Sequence, residues 1–321
     1  MELEEIVRPF ERRVTGIRFT GQGAPDQYAS YHELAGLGVG FANALRRVGV
    51  ELGEPVGLVL ANDKSSVVAM LGCWIAGSPV VSIPPAGRGI GADLYCEGFS
   101  AVLDQVPCRT VFGPGRAQGS LLPTIRFFDT ESFVGRLEAS TADPLVPIPD
   151  QALIQFTSGS TSLPRGVVLQ KDTVVGHLDM LYDALELTGH DPAVSWLPLH
   201  HDMGLIGFFM VPLMTRGPLT LMDPLSFIRN PLRWLDECAA EHATITGAPN
   251  FGYRLATRAL KRSTVRRDLR DIRLCLAGAD FRNSAPRVRE GRRSGWLRRP
   301  RPHAGLRARG GDIGRLLPRP A

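Results

Sequence analysis

Gln155-Phe156-Thr157-Ser158-Gly159-Ser160-Thr161-Ser162-Leu163-Pro164-Arg165-Gly166 is the stretch around which the chain is organised. Apolar Ala152-Leu153-Ile154 leads into it and Val167-Val168-Leu169 leads out, which predicts a strand, a hydroxyl- and glycine-rich loop, and a second strand. Residues this small let backbone N–H groups converge on an anion, and the Thr and Ser hydroxyls add donors that can also contact a metal ion held by phosphates. A surface β-turn is the plainer reading of the same residues. A Walker loop is excluded, because no Gly-Lys-Ser/Thr follows at the required spacing. Chemistry alone therefore leaves a candidate phosphate loop.

Outward from this stretch, strands and helices alternate. Ser30-Tyr31-His32-Glu33 fits a capping box, and Leu34, Leu37, Phe41, Leu45 and Val48 follow at helical spacing up to Gly49. Pro55 to Leu60 reads as a buried strand, Ala61-Asn62-Asp63 as a turn and residues 64–77 as a helix. Val80 to Ile83, Ala101 to Leu103 and Thr124 to Phe128 read as further strands. After the loop, Lys171-Asp172-Thr173 can cap a helix running to about Leu187. Ser195 to Gly204 reads as a strand end turning into glycine-bounded structure. Asn230-Pro231 starts a helix, Ala243 to Thr246 is a strand, a helix follows to about Lys261, and Ile272 to Leu276 is the last strand. This alternation predicts an α/β fold with largely parallel sheets.

Composition bounds the class. The 321 residues are 44% hydrophobic, enough for a substantial core and two subdomains. The apolar run Val67 to Ala76 is too short to span a bilayer and reads as a buried helix. The acidic start, Met1-Glu2-Leu3-Glu4-Glu5, does not resemble a signal peptide. Five cysteines with no C-x-x-C pair predict buried free thiols and a reducing, cytoplasmic setting. The formal charge of +5 is uneven. Residues 281–321 hold 12 Arg against Glu290 and Asp312, a net of +10, which leaves residues 1–280 at −5.

Several separated segments together resemble the adenylate-forming superfamily of acyl and aryl ligases. Thr157-Ser158-Gly159-Ser160-Thr161 with Pro164 and Gly166 is similar to its phosphate loop. Ser195-Trp196-Leu197-Pro198-Leu199-His200-His201-Asp202-Met203-Gly204-Leu205-Ile206-Gly207 resembles its next core motif, in the wording of the fatty acyl-AMP ligase branch. Gly247-Ala248-Pro249-Asn250-Phe251-Gly252-Tyr253 and Pro231-Leu232-Arg233-Trp234-Leu235 resemble that branch as well. Leu276-Ala277-Gly278-Ala279-Asp280 looks like the start of the adenine loop. The resemblance spans about residues 25–280.

It implies an N-terminal domain of layered α/β/α subdomains, and ATP with Mg²⁺ as cofactors. The implied reaction activates a fatty acid carboxylate to acyl-AMP. The acyl group then passes to the phosphopantetheine thiol of an acyl carrier protein, or to coenzyme A as in acyl-CoA ligases. It also implies residue roles. Thr157, Ser158, Gly159, Ser160, Thr161, Arg165 and Gly166 would hold the ATP phosphates, with Thr161 at the metal. Gly278, Ala279 and Asp280 would border adenine. His201 and Asp202 would sit at the acyl carboxylate, and Asn250 and Phe251 would border the acyl pocket. Arg165 stands where many relatives carry Lys, which replaces a point donor with a planar fork. Ser162 replaces a common Gly. A histidine at a strand end is also often a structural, hydrogen-bonded residue, and Met210 and Met214 at their spacing read as core.

The resemblance stops near Asp280. The family's acidic Mg²⁺ residue, ribose-binding Asp, hinge and C-terminal domain with its catalytic Lys are not found, and Gly311-Asp312 comes too soon to serve. The expectation is a partial N-terminal domain over residues 1–280, with little adenylation of its own and with a non-catalytic carrier-protein-binding module as the alternative. Residues 281–321, of which 27 are Arg, Gly, Pro or Ala, read as a disordered or out-of-frame tail. A basic nucleic-acid arm is the third reading of that tail, and no recognition motif supports it.

Overall fold

The computed structural model describes residues 3–7, 15–21, 25–85, 103, 105–115, 125–140, 146–156 and 165–277. Twelve strands are present among them: β1 Gly16–Thr20, β2 Gln27–Ser30, β3 Val56–Val59, β4 Val80–Ile83, β5 Thr110–Gly113, β6 Arg126–Asp129, β7 Gln151–Phe156, β8 Gly166–Gln170, β9 Ala193–Ser195, β10 Leu219–Met222, β11 Ile245–Ala248 and β12 Leu274–Ala277. They form two six-stranded sheets. The first has the order β12-β11-β9-β10-β1-β2 and the second β6-β5-β3-β4-β7-β8. Every pairing is parallel except β1 with β2 and β7 with β8, so each sheet carries one antiparallel strand at one edge. The α/β class with largely parallel sheets is thus the observed one.

Parallel sheets bury both faces, and the strands show it. All four residues of β3, β4, β5, β10 and β11 are buried. The helices that cover them follow their caps. Ser30 Oγ accepts from the Glu33 amide at 3.1 Å and opens helix Tyr31–Arg47, half of the capping box read in the sequence. Asp63 accepts from the Ser66 amide and opens helix Lys64–Ile75. Every residue from Ser66 to Ile75 is buried, so the apolar run Val67–Ala76 lies in the core. Trp74 Nε1 donates to the Ala152 carbonyl at 2.8 Å and ties this helix to β7. Asn230 accepts from the Leu232 amide and starts helix Pro231–Ala240.

Some boundaries move. Helix Lys171–Ala184 is entered from Gln170 with no side-chain cap, and it ends before Leu187, with Glu186 at a positive φ of 49°. The strand expected from Ala243 begins at Ile245, because the Ala243 amide closes the preceding helix on the Cys238 carbonyl. The strand expected from Ile272 begins at Leu274, because the Ile272 amide turns back to the Leu269 carbonyl. Strand β6 begins at Arg126, whose amide bonds the Arg109 carbonyl. Ala101, Val102 and Thr124 lie outside the described residues. Strands β1, β2, β5 and β10 and the short helices Leu3–Val7, Thr130–Val134, Val211–Thr215 and Pro224–Arg229 were not read from the sequence. Cys73, Cys108 and Cys238 are buried free thiols, Cys275 is a partly exposed one, and Cys96 lies outside the described residues. No helix among the described residues is long and apolar enough to cross a membrane.

Candidate active site at the carboxyl ends of the first sheet

Ligands in open α/β sheets sit beyond the carboxyl ends of the strands, where connections diverge. Here β9 runs out into Trp196-Leu197-Pro198-Leu199-His200-His201-Asp202, and one side chain from the other sheet fixes that path. Asn62, just past β3, donates through Nδ2 to the Leu197 carbonyl at 3.0 Å and to the Met222 carbonyl at 2.9 Å, and its Oδ1 accepts from the Leu199 amide at 3.0 Å. A buried amide with three bonds to main chain joins the carboxyl ends of β3, β9 and β10. The chain then reverses. The His201 amide bonds the Pro198 carbonyl at 3.1 Å, and a Cβ on Gly204 would overlap that same oxygen, so the reversal requires glycine.

Residues Met203–Met210 form a π-helix, which continues into helix Val211–Thr215. Eight residues is long for this geometry, which usually occurs as single turns and is frequent at functional sites. Sequence periodicity of 3.6 could not have indicated it. Met210 and Met214 are buried in the core, as their spacing suggested.

Between the π-helix, helix Lys171–Ala184 and the sheet lies a cleft of about 360 Å³. Its mouth is polar and exposed, with His177 and Asp202 beside the partly buried Met203. Its walls are Leu181, Leu185, Ile206, Gly207 and Leu276. Its deep end is closed by buried Leu187, Ala193, Val211, Pro212 and Ile245. Strand direction fixes this axis: Asp202 follows the carboxyl end of β9, whereas Ala193 and Ile245 begin β9 and β11.

His201, the residue before Asp202, is exposed and does not line the cleft, and its ring centroid lies 4.4 Å from that of His200. Burial, with the adjacent His201, pushes the His200 imidazole down to about 4. Asp202 is exposed and accepts from the Met203 amide at 2.7 Å.

Asn250 opens helix Asn250–Leu260 just past β11, at the same carboxyl edge. Phe251 is 43% exposed and meets Trp196 edge-on at 5.8 Å. Trp196 in turn stacks on Phe227 with ring centroids 3.7 Å apart. Neither Asn250 nor Phe251 is among the residues lining the cleft.

On the second sheet, β7 and β8 pair antiparallel down to Phe156 opposite Gly166. That pairing holds the two ends of the glycine- and hydroxyl-rich loop together. The Gly166 amide donates to Gln105 Oε1 at 3.2 Å, and Arg165 is exposed. Gln155 on β7 lies opposite Ser82 on β4 in register, and Gln155 Nε2 and Ser82 Oγ are both buried without a hydrogen-bond partner among the described residues. Two such groups beside the loop suit a ligand carrying acceptors. Thr157, Ser158, Gly159, Ser160 and Thr161, the adenine-loop residues Gly278, Ala279 and Asp280, and the tail 281–321 lie outside the described residues.

Of the residues expected at the site, Asp202 lines this apolar cleft, whereas His201, the residue before it, does not. His177, Leu181 and Leu185 recur at every fourth residue, a stripe consistent with one helix face, and only the fold shows that a void lies beneath it.

The model of the AMP-binding enzyme family matches residues 10–290. A Caulobacter vibrioides protein provisionally assigned as an acyl-CoA synthetase is 32% identical over 254 residues, covering 76% of this chain and 44% of its own length. Long-chain-fatty-acid–AMP ligase FadD26 of Mycobacterium marinum is 32% identical over 231 residues, covering 68% of this chain and 39% of its own length. The crystal structure of fatty acyl-adenylate ligase from L. pneumophila, in complex with acyl adenylate and pyrophosphate, superposes with a TM-score of 0.71 at 25% identity. It covers 90% of this chain and 50% of that one. The chain therefore spans half or less of the length of the proteins it matches. Over the greater part of its own length, it belongs to the AMP-binding enzyme family.

Proposed function

We propose that this chain binds a fatty acid and ATP for the formation of an acyl adenylate, as the fatty acyl-AMP ligase branch does. The observation that carries the reading is the apolar cleft lined by Asp202, the residue after His201, past the carboxyl end of β9. An acyl chain in that cleft leaves its carboxylate at the mouth, next to His201 and Asp202. Two anions must approach there, so the site has to hold them in line and offset their charge. One carboxylate oxygen attacks the α-phosphorus; the new P–O bond forms as the bond to the β-phosphate oxygen breaks, and pyrophosphate leaves with that electron pair.

In this reading Thr157, Ser158, Gly159, Ser160, Thr161, Arg165 and Gly166 hold the phosphates. The unpartnered Gln155 Nε2 and Ser82 Oγ support that placement. Thr161 would hold Mg²⁺, which would neutralise charge on the phosphates. Gly278, Ala279 and Asp280 border the adenine, and Asn250 and Phe251 border the acyl site from the Trp196 side. The acceptor of the second step is a thiol. FadD26 favours the carrier-protein arm of a fatty acyl-AMP ligase, and the Caulobacter relative favours coenzyme A. Residues 1–280 form the adenylate-forming part, and residues 281–321 a separate Arg-rich segment.

Binding of decanoate to the purified chain tests the site, with ATP–pyrophosphate exchange in the same preparation reporting adenylation. Leu181→Trp, which fills the cleft, is expected to abolish decanoate binding. His201→Ala is expected to weaken decanoate while leaving decanol unchanged. Equal decanoate binding by wild type and Leu181→Trp would overturn the assignment.

A further inference from the structure

Gly207 lines the cleft from the middle of the π-helix, and a Cβ built on it meets no atom of another element within 4 Å among the described residues. Its φ lies outside the left-handed region, so a side chain would meet no backbone strain there. Other core glycines differ. A Cβ on Gly72 would run into the Phe41 ring, and one on Gly247 would stand 2.7 Å from Phe208 Cζ. Those glycines admit neighbours, whereas the space over Gly207 is empty and apolar. Leu181 and Ile206 line the same cleft, and Val211 and Pro212 help to close its deep end.

We infer that Gly207 sets the bore of the cleft and so the length of acyl chain it accepts. The inference rests on the acyl-site reading above. A straight, unbranched chain of medium length fits a cleft of about 360 Å³, more than twice the roughly 150 Å³ of a cavity that takes up benzene. The absent side chain at residue 207 is what keeps the passage open to the deep end. A Leu there would occupy the volume of about four methylenes; each methylene kept from apolar burial weakens binding by about fourfold, so chains reaching past residue 207 should bind on the order of two-hundred-fold more weakly.

The test is a fatty-acid binding series, hexanoate to hexadecanoate, measured calorimetrically on the full chain. Its variants are Gly207→Ala, Gly207→Leu and Val211→Ala, with Gly176→Leu as control. Gly176 is exposed on helix Lys171–Ala184, and a Cβ there also meets nothing. Wild type is expected to gain affinity with length up to a limit. Gly207→Leu should lower that limit by several carbons while leaving hexanoate unchanged, Gly207→Ala should shift it slightly, and Val211→Ala should raise it. Gly176→Leu should match wild type. Matching far-UV circular dichroism and melting curves establish that the Gly207 variants fold; if Gly207→Leu does not, the opposite shifts of Gly207→Ala and Val211→Ala decide. Wild type that binds fatty acids with a length profile indifferent to residues 207 and 211 overturns the inference and leaves the acyl site standing. Wild type that binds no fatty acid overturns both.

Discussion

Helix Lys64–Ile75 and the π-helix Met203–Met210 each carry glycine on an apolar segment against a parallel sheet, yet their surroundings are opposite. The first is buried along nearly its whole length, and its Gly72 exists so that Phe41 can close on the backbone. The second presents Gly207 to open space. One glycine allows packing and the other preserves a void. Protein interiors are close-packed, so an apolar space that stays open marks a binding site more reliably than apolar composition does. The contrast extends to their neighbours. Trp74 is fully buried and hydrogen-bonded across to β7, while Met203 and Ile206 are only partly covered and wall a cleft.

The comparison can be broken first on its packed side. Trp74→Ala removes a fully buried indole and its bond to the Ala152 carbonyl. A loss of about 3–5 kcal/mol is expected, read as a lower urea midpoint. A loss below about 1 kcal/mol would mean that this helix is not the rigid element described.

Asn62→Leu comes next, at about 3 kcal/mol, because it strands the Leu197 and Met222 carbonyls and the Leu199 amide. The same change should speed hydrogen exchange at the amides of residues 199–205 while leaving β5 and β6 protected. Uniform loss of protection would show that Asn62 holds the whole fold and not the His201 segment in particular.

Acid sensitivity should be smaller. His200 is held neutral, its imidazole lowered from 6.5 to about 4 by burial and by His201. Between those values the unfolded chain binds the proton and the folded chain does not. Stability is therefore full above about 6.5 and falls as pH drops toward 4, by about 1–3 kcal/mol. His200→Asn should flatten that limb of the pH–stability curve. An unchanged slope would place the acid sensitivity elsewhere.

How much of this was legible in the sequence follows from what each feature depends on. The caps at Ser30 and Asn230 and the strands flanking the central loop were readable, because hydrogen-bonding residues at fixed offsets act locally. His201 and Asp202 were readable only through the motif around them. The cleft was not readable. Its walls come from residues 177–187, 193, 202–212, 245 and 276, and no local pattern reports that a space stays open between elements that touch elsewhere. The π-helix was hidden for a related reason, since its register departs from the 3.6-residue period by which helices are recognised. The shifted starts of β11 and β12 follow from turns whose main-chain bonds compete with the ladder.

The smallest effect separates the two glycines most cleanly, when each becomes alanine. At Gly72 the added methyl meets three atoms of the Phe41 side chain at once, and overpacking should cost about 1–3 kcal/mol. At Gly207 it enters open space, removes some backbone freedom from the unfolded chain and meets no strain, so stability should stay level or rise by about 0.5 kcal/mol. Thermal melts of the two variants, run side by side, make the comparison. Equal losses would mean that the space over Gly207 closes in solution. A loss at Gly72 alone would show that the cleft persists without a ligand to prop it open, as a preformed acyl site requires.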